Sequence, residues 1–203
     1  MKRWRRNGLT LALLLIFVTL LPGCATTPET KLYLLAAMES GAPFAGEAGQ
    51  TPVIGLGPVK LPDYLDRAQI VYRVSGNRLA AADFHRWAEP LAANVVRVLS
   101  ENLAARFPTS RILAYPWPKS QAPDYQLLVE VLRFDAGPDD AVHLIANWSV
   151  EGWEAAPHRA DITVPTDAHD FETLVRSESE ALMHLSREIG DELRRLMAGR
   201  QSK

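Results

Sequence analysis

Short runs of alternating apolar residues, two long segments with apolar residues at helical spacing, and the order strands, helix, strands, helix together predict an α+β fold. The predicted architecture is a mixed, mostly antiparallel sheet with two main helices packed on one face. A third observation sets the limits of that fold: the first 23 residues differ from everything that follows. Lys2, Arg3, Arg5 and Arg6 give a positive start, residues 9–21 form an almost unbroken apolar run, and Leu21-Pro22-Gly23 leads into Cys24. That is the three-part layout of a secretory signal peptide, with a run shorter than the roughly 20 residues a spanning helix needs. An ordinary cleavage site has no use for a thiol, whereas a lipoprotein peptidase site needs one to carry diacylglycerol on sulfur. Residues 1–23 therefore read as a lipoprotein leader, residues 24–31 as a lipidated tether, and residues 32–203 as one folded domain.

Within the domain the elements follow in order. The tether, small and polar through Ala25-Thr26-Thr27-Pro28-Glu29-Thr30-Lys31, gives way to a first strand at Leu32-Tyr33-Leu34-Leu35. Residues 41–52, broken by Pro43, Gly46 and Gly49, lack periodicity and read as a loop. Val53–Lys60 alternates, with Gly55 and Gly57 on a face that another backbone or side chain approaches closely. Pro62 ends that strand, and Asp63 is placed to cap a single helical turn. Residues 69–74 and 78–84 flank Ser75-Gly76-Asn77 as a hairpin.

Glu89-Pro90 opens the first helix, whose stripe is Leu91, Val95, Val98, Leu99 and Leu103, and Pro108 stops it after Phe107. Residues 111–115, 125–134 and 142–150 are further strands, and residues 160–164 an edge strand. The closing helix, about residues 170–197, carries Leu174, Leu182, Leu185, Ile189, Leu193 and Leu196 on its apolar stripe, with Glu178, Glu180, Arg187, Glu188, Asp191 and Arg194 assigned to other faces. Gly190 inside that stripe implies either a close contact or a kink.

Composition narrows the chemistry. Cys24 is the single cysteine, so no internal disulfide forms and the core must stabilise the fold. Loss of the leader takes the net charge from −2 to about −6, which disfavours nucleic acid and electrostatic adhesion to anionic lipid. Membrane attachment then falls to acyl chains, each methylene contributing about 0.8 kcal/mol. Ala25, in place of an inner-membrane-retaining aspartate, favours the outer membrane of a Gram-negative envelope. No nucleophile elbow, phosphate loop or dinucleotide fingerprint occurs. His85, His143, His158, His169 and His184 lack metal-ligand spacing, and Asp139-Asp140 reads as a solvated turn. No catalytic residue, metal ligand or cofactor is assigned, apart from covalent N-acyl and S-diacylglycerol groups on Cys24. Trp148 reads as core, and Trp117, between Pro116 and Pro118, as a surface residue.

One stretch is more particular. Gly55-Leu56-Gly57-Pro58-Val59-Lys60-Leu61-Pro62-Asp63-Tyr64-Leu65-Asp66-Arg67, then Gln69-Ile70-Val71, Trp87-Ala88-Glu89-Pro90-Leu91, Asn94-Val95 and Arg97-Val98-Leu99, resembles the PqiC-like family of ABC-type transport auxiliary lipoproteins, which work with MCE-domain proteins. Ala68 departs from the proline common there. The resemblance implies a non-enzymatic, outer-membrane-anchored accessory of intermembrane lipid transport, with an MCE-domain protein of the transport system as its partner. Leu61, Pro62, Asp63, Tyr64, Leu65, Asp66 and Arg67 are the candidate partner-binding turn, and a purely structural role for the same turn stays open. A self-associating envelope scaffold, a homo-oligomer and a periplasmic lipid-binding carrier remain as alternatives.

Overall fold

The computed structural model describes residues 28–38, 52–107, 111–151 and 157–201. The leader, Cys24, the start of the tether, most of the 41–52 stretch and Trp153 lie outside the described residues. Eight strands and two helices follow in the order β1 (Lys31–Tyr33), β2 (Val53–Lys60), β3 (Gln69–Ser75), β4 (Arg78–Trp87), α1 (Leu91–Arg106), β5 (Arg111–Ala114), β6 (Tyr125–Ala136), β7 (Ala141–Glu151), β8 (His158–Pro165) and α2 (Phe171–Gln201). Single 3-10 turns sit at Asp63–Leu65 and Lys119–Gln121.

All eight strands join one mixed sheet. Its long ladders, β6 with β7, β7 with β8 and β3 with β4, are antiparallel, while β1 joins β4 and β2 joins both β5 and β6 in parallel. β6 is the central strand. One of its sides is lined by β7 along its length, and the other by β2 and, at Ala136, by β3. As the alternation predicts, Leu127, Val129 and Val131 of β6, Leu144 and Ala146 of β7, and Ile162 and Val164 of β8 are buried, whereas Glu130 and Leu132 are exposed. The buried face carries both helices, α1 against β2 and β5, and α2 against β7 and β8.

Polar residues form the seam between the helices. Asn102 of α1 donates to Ser186 Oγ of α2 at 3.3 Å, and both side chains are buried. The chain leaving β1 is stitched to both helices: Arg97 donates to Leu35 O at 2.8 Å, Ala36 N to Ser179 Oγ at 3.1 Å, and Met38 N to Asn102 Oδ1 at 3.0 Å. Leu35 is buried between these bonds. Buried donors and acceptors that find partners in this way add specificity which a purely apolar seam lacks.

Three glycines answer questions the sequence posed. Gly190 stands in a close contact inside a helix that runs unbroken through it; a Cβ there would lie 2.5 Å from Arg106 Nε, because the buried Arg106 side chain crosses that point to reach Asp191. Alanine at 190 would gain about 1 kcal/mol of helix propensity but incur roughly 1–3 kcal/mol of overpacking. Gly190→Ala is therefore expected to lower stability by about 1 kcal/mol net in urea unfolding, and unchanged or raised stability would contradict the contact. On β2, a Cβ at Gly55 would lie 2.8 Å from Trp117 and 2.7 Å from Pro123, and Gly57, at φ +119°, lies under Tyr115. Trp117 is thus half-buried against Gly55 rather than a surface residue, because the loop folds back over the glycine face. Trp148 is buried, stacked on His158 with centroids 4.2 Å apart.

Candidate functional site

The turn at residues 61–67 interrupts what would otherwise be one continuous flank of β6. β2 pairs with β6 as far as Lys60 with Glu130, and β3 resumes at Tyr72 with Ala136, so the 3-10 turn lies beside the unpaired stretch between. Tyr64 fills that gap: its hydroxyl accepts from the Phe134 backbone N–H at 3.3 Å and donates to Asp135 Oδ2 at 2.8 Å. A side chain here takes the place of a strand partner, which satisfies a backbone group the break would otherwise orphan.

Asp135 is the centre of the arrangement, with a side chain 0% exposed. Arg73 of β3 grips it bidentately, Nε to Oδ1 at 3.2 Å and Nη2 to Oδ2 at 3.1 Å, and Arg133 adds Nε to Oδ1 at 3.0 Å. A buried carboxylate is tolerable when it is paired and hydrogen-bonded in this way. Burial, with Asp135 adding to it against the Phe134 bond, pushes the Tyr64 hydroxyl up to about 12, so it stays a donor. The Asp135 hydrogen bond likewise raises Arg73.

Glu178 of α2 lies deep in the domain, 2% exposed, with Oε2 buried and lacking a hydrogen-bond partner. Burial first, and the Asp135 charge second, drives its carboxyl well above the usual range, which favours the protonated form. This corrects its sequence assignment to an outer helical face. Glu178 falls four residues after Leu174 and four before Leu182, directly on the stripe those buried leucines define.

Of the seven turn residues, Leu65 is core at 4% exposure, Leu61 and Tyr64 pack against that core, and Pro62 is half-buried. Asp63, Asp66 and Arg67 are exposed. Asp63 does not cap the turn; it is the turn's first residue, Pro62 holds the cap position, and Asp66 N donates back to Asp63 O at 3.1 Å. The next residue, Ala68, accepts from Trp87 N at 2.7 Å, tying the turn to the end of β4. Sequence reasoning found the turn but missed Asp135, Arg73, Arg133 and Glu178. The available signal was a charged residue amid apolar alternation, Phe134-Asp135-Ala136, and an acid at stripe spacing in α2.

Elsewhere the geometry is sparse in chemistry. A trough of about 300 Å³ runs over β2, β6 and β7, where Leu128 meets Lys60, Glu130, Asn147 and Ser149. Among the described residues no group of His, Cys, Asp and Glu is placed to hold a metal. His143 instead pairs with Asp139 at 2.9 Å, and Asp140 occupies a left-handed turn position at φ 51°. No helix among the described residues is long and apolar enough to cross a membrane.

A mixed sheet covered on one face by two helices, with a pinned turn at its central strand and an N-terminal segment stitched to both helices, defines an α+β module. The sequence matches the ABC-type transport auxiliary lipoprotein component family over residues 33–190, and the chain belongs to that family. Crystal structures whose fold it matches include two that each cover most of the chain. One, of an uncharacterized protein, is 20% identical with a TM-score of 0.68, covering 82% of this chain and 99% of its own. The other, from Xanthomonas campestris and of the DUF330 family, is 14% identical with a TM-score of 0.67, covering 85% and 98%. No curated protein matches.

Proposed function

We propose that this chain is a non-catalytic accessory lipoprotein, held at the periplasmic face of the outer membrane by acyl chains on Cys24, that docks the MCE-domain protein of its transport system. The observation that carries the docking surface is the pinning of the 61–67 turn by Tyr64 on Asp135, which fixes Asp63, Asp66 and Arg67 on a rigid base. Three exposed charges on a pre-ordered turn lose little entropy on binding and supply specificity more than raw affinity. Anchoring raises the effective concentration of this surface for a partner reaching across the periplasm. The bonds from residues 35–38 to both helices support a tethering role, since a pull on the N-terminal segment is shared by the whole helical layer.

The carrier alternative draws less support, because the trough lies open along a sheet face and mixes Leu128 with charged and polar groups. In-cell photo-crosslinking from probes at Asp63, Asp66 and Arg67 tests the docking surface, with Asp161 on β8 as the reference. The expected result is a crosslink to an MCE-domain protein from the turn and none from position 161. Crosslinks from the turn only to further copies of the chain would replace docking by the scaffold reading.

A further inference from the structure

The most exposed large apolar side chain among the described residues is Leu32, at 65%, and Leu34 follows two positions on at 49%. They flank Tyr33, which turns inward, its hydroxyl 2.8 Å from His85 Nδ1, while Leu35 is fully in the core. Leu32 and Leu34 therefore share the outward side of a segment held firmly from within. Exposed Lys31 precedes them, and exposed Arg86 is the direct register partner of Leu32 on β4. Two bare leucines framed by two cations stand out in a chain whose mature charge is about −6.

Chain length says what lies nearby. Leu32 is eight residues from Cys24, a reach of at most about 28 Å even when fully extended. We infer that Leu32 and Leu34 rest in the interfacial layer of the bilayer that holds the Cys24 acyl chains, with Lys31 and Arg86 among its phosphates. The inference rests on the anchoring proposed above and adds an orientation to it: the β1 edge faces the lipid. Leucine side chains that are too few to bind a membrane alone suffice here, because the acyl chains have already removed the cost of bringing the domain to the surface. The interfacial layer also suits the pairing, since apolar side chains enter while the cations stay at headgroup level.

The sole native thiol is the acylated one, so Leu32→Cys or Leu34→Cys supplies a single free sulfhydryl for a nitrobenzoxadiazole label. Lipidated protein carrying each label is reconstituted into phosphatidylethanolamine–phosphatidylglycerol vesicles, with Asp161→Cys as the reference. Labels at 32 and 34 are expected to be quenched several-fold more by nitroxide-bearing lipid than the label at 161, and several-fold less by aqueous iodide. Iodide quenching equal to that at 161 in protein that sediments with the vesicles overturns the bilayer contact and leaves the anchor standing. Protection from iodide without quenching by lipid nitroxide means a second copy covers the leucines, and overturns it too. Protein that stays in the supernatant overturns both the contact and the anchor.

Discussion

Asp135→Ala is expected to remove about 3 kcal/mol of folding stability, the usual result of deleting one partner of a buried ion pair. The loss comes less from the bonds themselves than from what they leave behind. Arg73 and Arg133, with side chains 21% and 25% exposed, would face each other without the carboxylate that both now hold, and Tyr64 would lose its acceptor. Tyr64→Phe should cost less, about 1–2 kcal/mol, because only the bonds to Asp135 and the Phe134 N–H disappear. The two losses should fall short of additive in the double variant, since the residues share one network. Urea unfolding of the three proteins measures this, and a loss below about 1 kcal/mol for Asp135→Ala would contradict the central place given to that residue. The same variant should release the turn, seen as faster amide exchange at residues 63–67.

Glu178→Gln is expected to have the second large effect, and it is visible as a pH dependence. The folded-state pKa of Glu178 lies above its unfolded value because burial, aided by the Asp135 charge, disfavours the ionised form. Between those two values the folded protein binds the extra proton, so stability falls as pH rises. The contribution is fully present below the unfolded pKa and is lost as pH climbs through the folded one, with a limiting slope of about 1.4 kcal/mol per pH unit. Glutamine keeps the shape and cannot ionise. The variant should therefore gain stability relative to the parent progressively as pH rises above the unfolded carboxyl value, and the two should converge in acid. Parallel stability curves above the unfolded value would show that burial does not raise the Glu178 carboxyl.

Much of the fold was legible from local pattern. The Val53–Lys60 alternation, the hairpin around Gly76 and the stop at Phe107 follow from side-chain period, turn chemistry and proline, all of which act over a few residues. The parallel joining of β1 to β4 and of β2 to β6 was not, because pairings between distant strands are chosen by the whole sheet rather than by either strand. The site divides in the same way. The turn at 61–67 has a dense local signature. Asp135 and Glu178 took on their roles only once folding brought β3, β6 and α2 together, and a carboxylate in a sequence carries no mark of the arginines it will meet. Trp117 illustrates the converse, since its flanking prolines suggested exposure while the glycine face of β2 gave it a seat.

The anchored state itself is tested most directly at residue 24. Intact-mass and peptide mass spectrometry of the protein isolated from its own membranes should find a chain beginning at Cys24, with diacylglycerol on its sulfur and an acyl group on its amine. A chain recovered from the aqueous fraction with the Cys24 thiol unmodified would contradict the account, and the docking and bilayer contacts built on it would go with it.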